Sequence, residues 1–276
     1  MILSMHPHYD GDERIDLTPA GRFTEAEIER IRKARAVVVP QSIKESQYSA
    51  CRRNCNNVFP DYNTRFRFGG KLGNMRLFRK LDIPHPRSVG YVSAEEFHAR
   101  HPGLATSPFD YPFVLKGNEG GGGVYVHLVR NREDLFSSLV HLGKMRNYPV
   151  PIVAQEFVPH GGRDLRVVVA GDQVRTYWRV QRKQDEFRNN LGRGGVIEWE
   201  MDPGRTEAGT RCVMDLCEKA GIDLAAVDVV FDATVPEPLP LVLEINFIFG
   251  RKGLGGSQKF RGMFKEVVDR WIRSLS

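Results

Sequence analysis

Two acidic residues and one asparagine stand on neighbouring predicted strands near the C-terminus. The segments AAVDVVFD and LPLVLEIN flank a proline-rich turn, and a register in which the turn centres on Pro236 places Asp228 opposite Glu244 on one face of a hairpin. The same register pairs Val230 with Val242, and Asn246 shares the face of Glu244 because side chains alternate along a strand. Converging oxygens of this kind suit Mg²⁺, which leaves other positions for phosphate oxygens and water. The alternative is scattered charges on a solvent face, but strands so rich in Val, Leu and Ile are typical of a buried sheet.

A glycine run in the segment LKGNEGGGGVYVHLV is the second candidate for chemistry. Four glycines follow one another there: Gly120, Gly121, Gly122 and Gly123. Glycine lets backbone N–H groups approach a phosphate without interference from a Cβ atom, and Lys116 just before the run would add a positive charge. No Gly-Lys-Ser/Thr follows and the next segment has β character, so this is neither a Walker A loop nor a dinucleotide fingerprint. A flexible surface hairpin with an exposed lysine is the alternative interpretation.

A basic hairpin and the loop after it form the third candidate. DLRVVVAGDQVRTYWR predicts two strands joined at Gly171-Asp172, a register that places Asp164 opposite Arg179 and Arg166 opposite Tyr177. The following polar loop carries two arginines and two asparagines: Arg188, Asn189, Asn190 and Arg193. Arginine suits phosphoryl groups because its planar fork makes two parallel hydrogen bonds. A solvated charged face explains the other arginines of the hairpin, but it explains this loop poorly.

The composition sets the class of protein. The chain has 276 residues, of which 27% are charged and 41% hydrophobic, as in a soluble globular protein. No apolar run approaches the ~18 residues of a membrane span, we identify no secretory signal, and four cysteines without zinc-ribbon spacing suggest a reduced, cytoplasmic protein. The net charge of +6 fits phosphates and acidic small molecules as well as it fits nucleic acid. Nucleic acid is the minority interpretation because no zinc finger or RNA motif occurs, and a homo-oligomer is left open.

The elements that must position these residues follow from periodicity and capping signals. Residues 1–70 read as a short α/β unit and residues 71–276 as a larger α/β region. KLGNMRLFRKL, residues 71–81, predicts an amphipathic helix. SAEEFHAR predicts a helix capped by Ser93, and NREDLFSSLVHLGKMR predicts one capped by Asn131. YPFVLK and VYVHLV are predicted strands on either side of the glycine run.

The chemical motifs, taken in chain order, resemble the ATP-grasp superfamily. The resemblance rests on QEFVPHGGRDLRVVVAGDQV, EFRNNLGRGG, VDVV and LEIN, and it is greatest to glutathione-synthetase-like and RimK-type ribosomal-protein glutamate ligases. It covers Lys71 to the C-terminus and implies a mixed α/β fold in which two lobes grip ATP. The small lobe, about 85–155, would carry the glycine flap, and the C-terminal lobe, about 156–276, would carry the metal site. The N-terminal domain, 1–70, would precede both lobes.

The resemblance also implies which residues hold the nucleotide. Lys71, Lys116 and the flap 118–123 would hold the ATP phosphates, whereas Glu156 and Phe157 would meet the adenine largely through backbone groups. Other nucleotide contacts would come from one acidic residue and from the loop beside the phosphates: Asp164, Arg188, Asn189 and Asn190.

The metal ligands and the catalytic cations are implied in the same way. Asp228, Glu244 and Asn246 match the family's Mg²⁺ ligands, with Mn²⁺ as the alternative cation. Arg166 and Arg193 would face the γ-phosphate and the acyl-phosphate, and Lys116 would share their catalytic role.

Two departures from the family pattern are visible. The family's Glu-x-Asn is usually followed by Ser/Ala-Pro-Gly, but this chain reads FIFGRKGLGG, which places Arg251 and Lys252 near the expected acceptor site. Gly70 stands where the family commonly has an acidic residue before its first lysine.

The implied reaction has two steps. ATP phosphorylates a carboxylate to give an acyl-phosphate and ADP, and an amine then displaces phosphate to leave an amide. The substrates expected are ATP and an acidic small molecule, amino acid or peptide. The alternatives are a nucleotide-binding ATP-grasp protein without ligase activity and an ATP-grasp small-molecule kinase.

Overall fold

A computed structural model describes residues 1–144 and 151–275, which form three sheets with helices packed against them. The N-terminal unit is a four-stranded parallel sheet in the order β2-β1-β3-β4. Its elements are β1 (Ile2–Ser4), β2 (Glu13–Arg14), α1 (Glu25–Lys33), β3 (Ala36–Val38), α2 (Glu45–Asn54), β4 (Val58–Phe59) and α3 (Asn63–Arg67). Helix α1 begins at a capping box, in which Thr24 accepts from the Glu27 N–H and the Glu27 carboxylate accepts from the Thr24 N–H.

The small lobe is a four-stranded antiparallel sheet in the order β5-β8-β6-β7. It comprises α4 (Gly70–Lys80), β5 (Ser88–Tyr91), α5 (Ala94–Arg100), β6 (Phe113–Gly117), β7 (Val126–Val129), α6 (Arg132–Gly143) and β8 (Ile152–Glu156). The predicted caps are confirmed, because the Ser93 hydroxyl accepts from the Glu96 N–H and the Asn131 side chain from the Asp134 N–H. Residues 145–146, at the end of the predicted α6, lie outside the described residues.

The large lobe is a five-stranded antiparallel sheet in the order β11-β10-β9-β12-β13. It comprises β9 (Arg163–Ala170), β10 (Gln173–Val180), β11 (Val196–Glu198), α7 (Pro203–Ala220), β12 (Leu224–Val230), β13 (Leu241–Asn246) and α8 (Ser257–Ser274). All seven residues of β12 are buried, because β12 lies between β9 and β13 and has α-helices on its faces. The central strands therefore hold their polar side chains away from solvent.

Two strand predictions were wrong in part. Val242 lies opposite Val229 rather than Val230, because the β12–β13 register shifts between Asp228 and Val229. The shift leaves one extra residue, Leu243, on β13, as a β-bulge does. The strand after the glycine run begins at Val126 and not at residue 124, since the turn extends through residues 124 and 125.

The N-terminal unit packs directly on the large lobe. One core cluster contains Leu3 and Val37 from the parallel sheet together with Val167 and Val229 from β9 and β12. The division after residue 70 stays a prediction, because this core continues across it. The packing presents the loops after β1 and β3 to the segment that follows β13.

Candidate active site

A cavity of about 450 Å³ lies between the small-lobe and large-lobe sheets. Its wall includes almost every residue that the sequence singled out: Lys71, Lys116, Gly120, Gly121, Gly122, Gly123, Glu156, Phe157, Asp164, Arg166, Arg188, Asn189, Asn190, Asp228, Glu244 and Asn246. Among the residues assigned to the nucleotide, the metal or catalysis, Arg193 is the exception, since it does not line the cavity and its backbone oxygen accepts from Gln181 Nε2 at 3.2 Å. Its predicted catalytic role stays a prediction.

The large-lobe wall carries a row of four alternating charges. Pairing of β10 with β9 sets Arg179 opposite Asp164, and pairing of β9 with β12 sets Arg166 opposite Asp228. Arg179 makes a bidentate pair with Asp164 at 2.7 and 2.7 Å, and Arg166 makes one with Asp228 at 2.7 and 2.8 Å. Arg179 also reaches diagonally to Asp228 Oδ2 at 3.1 Å. The row is therefore continuous from β10 to β12.

Burial and charge oppose each other at Asp228. Burial alone would raise the pKa of this carboxyl, but the positive charges of Arg166 and Arg179 outweigh burial and lower its pKa to about 2. Asp228 is therefore an anion throughout the neutral pH range, and its charge is balanced by protein groups.

Glu244 and Asn246 are less engaged than Asp228. Glu244 lies opposite Asp228 as predicted, and Lys71 Nζ is 3.3 Å from Glu244 Oε1. Asn246 Nδ2 is 3.3 Å from Asp228 Oδ2, which turns the amide nitrogen of Asn246 toward the buried row. Carboxylate and amide oxygens are the ligands that Mg²⁺ prefers, so Glu244 and Asn246 fit a divalent cation. Asp228 would join them only by sharing oxygens that already accept from arginine.

The small-lobe wall presents two buried lysines. Lys116, on β6, donates to Gln155 Oε1 at 2.6 Å, and Gln155 in turn donates to Ser88 Oγ at 3.0 Å. Burial lowers the pKa of Lys116 to about 8, and the charge of Glu244 only partly opposes this effect. Lys71, in the first turn of α4, donates to the Gly120 carbonyl at 3.3 Å. The Lys71 ammonium therefore lies beside the glycine flap, and both lysines line the same cavity as the flap glycines.

Asn118 ties the start of α4 to the flap and accounts for Gly70. The Asn118 carbonyl accepts from the Lys71 N–H at 3.1 Å, and its Oδ1 accepts from the Leu72 N–H at 2.9 Å. Gly70 has a φ of 69°, and a Cβ there would collide with the Asn118 amide. An acidic side chain at position 70 would not fit this arrangement.

The glycine flap rests on the loop that follows β10. Gly120, Gly122 and Gly123 have positive φ values of 104°, 64° and 71°, a region that disfavours residues with a Cβ. Arg188 Nη1 donates to the Gly123 carbonyl at 2.9 Å, while the other guanidinium nitrogens of Arg188 bind Glu186 at 2.7 and 2.8 Å. Arg188 thus joins the flap to the large lobe.

Asn189 and Glu156 have side chains that are already engaged. With its amide oriented to suit its neighbours, Asn189 donates to the Gly162 carbonyl at 3.0 Å and accepts from the Asp164 N–H at 3.2 Å. The Glu156 carboxylate pairs with Arg87 at 2.7 and 2.9 Å outside the cavity. The prediction that Glu156 contacts a base through its backbone is compatible with this geometry.

Arg251 and Lys252 lie where the cavity approaches the N-terminal unit. Lys252 lines the cavity, and the Arg251 guanidinium contacts His8 Nε2 and stacks over the Phe260 ring at 4.6 Å. Within residues 1–144 and 151–275, neither cation forms an ion pair with a carboxylate. The end of the cavity near the N-terminal unit is therefore positively charged.

Sequence reasoning missed Arg179 and Gln155 as parts of the site. The hairpin register already placed Arg179 opposite Asp164, and this pairing was the available signal. No sequence signal pointed to Gln155, because its contact with Lys116 depends on β8 lying beside β6. Among the described residues, no group of three or more His, Cys, Asp or Glu side chains could hold a metal ion, and no described helix could cross a membrane.

A glycine flap and two lysines above a carboxylate-bearing antiparallel sheet define an ATP-grasp protein, and solved structures share the fold. A RimK domain protein ATP-grasp from Sphaerobacter thermophilus matches with a TM-score of 0.62 at 18% identity, over 96% of this chain and 98% of that one. D-alanine–D-alanine ligase from Bacillus anthracis matches with a TM-score of 0.62 at 13% identity, over 95% and 85% of the two chains. The predicted mixed α/β ATP-grasp fold is confirmed.

The sequence comparisons assign the chain to one family within the proteins that share this fold. Residues 70–261 match the family described as RimK-like ATP-grasp domain, and the chain belongs to this family. A probable alpha-L-glutamate ligase of Citrobacter koseri is 31% identical over 199 residues, and a ribosomal protein bS6–L-glutamate ligase of Escherichia fergusonii is 30% identical over 198 residues. Each match covers 68% of this chain and 61% of the relative, so the chain matches less than two thirds of either relative's length.

Proposed function

We propose that this protein is an ATP-dependent carboxylate–amine ligase that forms an amide through an acyl-phosphate and releases ADP and phosphate. The observation that carries the proposal is the convergence on one cavity of Lys71, Lys116 and the glycine flap with Glu244 and Asn246. A nucleotide phosphate requires cations and free backbone N–H groups, and its divalent cation requires oxygen ligands. Family membership gives the proposal independent support.

The residues present fit Mg·ATP. The flap glycines with positive φ leave the space that a Cβ would fill, so their backbone N–H groups can approach phosphate oxygens. Glu244 and Asn246 would hold the divalent cation, with Asp228 behind them. Bound there, Mg²⁺ would neutralise phosphate charge and polarise the transferring phosphoryl group.

The chain's own side chains would overcome the repulsion between two anions. A substrate carboxylate and the γ-phosphate are both negative, and Lys71, Lys116 and Arg166 supply the opposing charge at the cavity wall. Arg166 is fixed by its bidentate pair with Asp228, so this charge is preorganised and costs little reorganisation during the reaction. Catalysis would then consist of positioning and charge stabilisation, without a covalent intermediate on the protein.

An acidic amino acid or acidic peptide is the substrate class that we propose. The support is the positive end of the cavity, where Arg251 and Lys252 have no carboxylate partner among the described residues. A carboxylate is the natural counter-ion for such a pair. The two relatives named above are glutamate ligases by name, which agrees with this choice.

The test is ADP release measured with pooled acidic amino acids, dipeptides and acidic peptides, with the products identified by mass spectrometry. We expect Mg²⁺-dependent ADP release with an acidic pool and a product joined by an amide bond. A phosphorylated alcohol as the product would show that the protein is a kinase and not a ligase. Nucleotide binding with no ADP release in any pool would contradict ligase activity.

A cytoplasmic location belongs to the same proposal. The reaction consumes ATP, and all four cysteines are free thiols in the structure, which suits a reducing compartment.

A further inference from the structure

Arg251 is a cation that the protein orients without neutralising it. Its guanidinium donates from Nη1 to His8 Nε2 and stacks over the Phe260 ring at 4.6 Å. Neither partner carries a negative charge, and no carboxylate pairs with Arg251 in the described parts of the chain, 1–144 and 151–275. A guanidinium has several N–H donors and His8 takes one of them, so a carboxylate can still bind Arg251 through two parallel hydrogen bonds.

The acids on the elements around Arg251 are engaged elsewhere. The loop between β1 and β2, which carries His8, has two acidic residues, and so has α8, which carries Phe260. Each of these carboxylates accepts from another group: Asp10 from Arg261 at 2.9 Å, Asp12 from the Ile2 N–H at 2.6 Å, Glu266 from Gln173 at 3.2 Å and Asp269 from Lys265 at 2.6 Å. The positive charge of Arg251 therefore stays available to a ligand.

The segment after β13 places Arg251 at the cavity. Gly250 and Lys252, its two neighbours in the chain, both line the cavity. Gly253 packs so closely on the Tyr177 ring that a Cβ there would collide with it, and Tyr177 also lines the cavity. The backbone on both sides of Arg251 is therefore held at the cavity wall.

His8 is itself held in place by His6. The His6 side chain is 1% exposed, and its ring stacks on Phe264 with 4.0 Å between the ring centroids. Burial lowers the pKa of His6 to about 3, so Nδ1 of the neutral ring accepts from the His8 N–H at 3.1 Å.

The contact with Arg251 also determines the protonation of His8. An arginine can only donate, so His8 Nε2 is the acceptor and the ring proton of His8 lies on Nδ1. Burial, and after it the charge of Arg251, lowers the pKa of His8, which keeps this neutral form at neutral pH. His8 can therefore fix the direction of the guanidinium and leave its charge intact.

We propose that His8 is a positioning residue for substrate selection, which holds the Arg251 guanidinium ready for the side-chain carboxylate of an acidic amino acid or acidic peptide. The inference rests on the proposed function, because this carboxylate would bind at the end of the same cavity. His8 touches neither the nucleotide nor the reacting atoms and acts through Arg251. The N-terminal unit, which precedes the matched family region 70–261, then contributes to the choice of substrate.

The test is calorimetry of L-glutamate and L-glutamine binding to protein saturated with Mg²⁺ and the non-hydrolysable analogue AMP-PNP. The two probes differ in whether the side chain ends in a carboxylate or an amide, so the ratio of their dissociation constants measures recognition of the carboxylate. The wild type should bind L-glutamate more tightly. His8→Ala should weaken L-glutamate binding about tenfold, because the substrate itself must then order Arg251. Binding of L-glutamine and of AMP-PNP should not change.

Two further variants show whether His8 acts through its hydrogen bond to Arg251. The amide oxygen of glutamine can accept in place of Nε2, so His8→Gln should bind L-glutamate within about twofold of the wild type. Arg251→Met should weaken L-glutamate binding at least as much as His8→Ala does. The double variant His8→Ala/Arg251→Met should bind L-glutamate as Arg251→Met does, since His8 has no effect once Arg251 is gone. His98→Ala, at an exposed position on α5, is the matched control and should behave as the wild type.

The outcomes separate the two proposals. A wild-type protein that binds no AMP-PNP overturns the proposed function and this inference with it. Three results overturn the inference alone: wild-type binding of L-glutamate no tighter than that of L-glutamine, unchanged L-glutamate binding in His8→Ala, and a double variant that binds more weakly than Arg251→Met. A purely structural role for His8 also overturns it, and would weaken the binding of both probes and of AMP-PNP alike, with no recovery in His8→Gln.

Discussion

The two walls of the cavity are built in opposite ways. The large-lobe wall consists of side chains on β9, β10, β12 and β13, and its arginines and aspartates are buried and held by bidentate bonds, such as those of Arg166 with Asp228. The small-lobe wall consists of two lysines and a glycine loop, and it is joined to the other wall by the contact of Arg188 with the Gly123 carbonyl and by that of Lys71 with Glu244. One wall is fixed before a ligand arrives, whereas the other can adapt to it.

The difference between the two walls indicates that they have different roles in the site. Charges aimed at a developing transition state are most effective when they need not reorient, and the large-lobe wall meets this condition. A loop that must admit and then cover a phosphate needs backbone freedom, and the flap glycines provide it. Substitutions in the first wall should therefore remove catalysis, and substitutions in the second should change nucleotide binding and closure.

The strongest test of the large-lobe wall is Glu244→Ala. Removal of Glu244 takes away the carboxylate ligand that no arginine holds, so Mg²⁺-dependent ATP turnover should be abolished, a fall of about a thousandfold or more. ADP release measured against Mg²⁺ concentration, together with a circular dichroism spectrum of the folded protein, checks this outcome.

Glu237→Ala is the matched control for Glu244→Ala. Glu237 lies exposed in the turn of the same hairpin, outside the cavity, so its loss removes the same charge without touching the site. Full turnover in a folded Glu244→Ala protein would contradict the assignment of Glu244 as a metal ligand.

The flap offers a sharper test of the comparison, because two of its glycines differ. Gly123 has a φ of 71°, and a Cβ on it would lie 2.7 Å from Asn190 Oδ1, whereas a Cβ on Gly121 would meet nothing within 4 Å. The left-handed conformation alone costs a residue with a Cβ about 1–2 kcal/mol. Gly123→Ala should therefore lower kcat/KM for ATP about tenfold, and Gly121→Ala should stay within about twofold of wild type.

Steady-state kinetics of the two flap variants provides the measurement. Equal effects would mean that the flap does not close against the loop containing Asn190, and the contrast between the two walls would then lose its basis.

Hairpin registers were predictable from this sequence because two local rules determined them. A two-residue Gly-Asp turn sets the β9–β10 pairing, and period-two alternation sets which residues share a face. Asp164 opposite Arg179 followed from these rules, whereas Asp228 opposite Glu244 followed from centring the proline-rich turn on Pro236. The bulge at Leu243 did not, because it depends on how β13 packs and not on its own pattern.

Contacts across non-neighbouring strands were beyond sequence reasoning. Arg179 reaches Asp228 over the intervening β9, and that reach depends on the strand order β10-β9-β12, which no local pattern encodes. Arg193 shows the reverse case, in which a motif implied a place at the cavity that the loop geometry does not give. The motif specifies the residue type but not the path of the loop.

The smallest effect expected concerns the protonation of Lys116 on the adaptable wall. Burial lowers the pKa of Lys116 to about 8 in the free protein, and a bound phosphate favours the charged ammonium, so binding raises this pKa again. Below pH 8 the lysine is already charged and little proton uptake accompanies binding. Above pH 8 each bound nucleotide must bring a proton with it, so the affinity should fall by at most about tenfold per pH unit.

Calorimetry of Mg²⁺-free ADP binding at pH 7 and pH 9, in two buffers of different ionisation enthalpy, measures this uptake. It should approach one proton at pH 9 in the wild type and vanish in Lys116→Ala, which should also bind ADP more weakly at pH 7. Lys80→Ala, at an exposed position on α4, should behave as the wild type. Equal uptake in the wild type and in Lys116→Ala would assign the titrating group elsewhere and leave Lys116 without a role in phosphate binding.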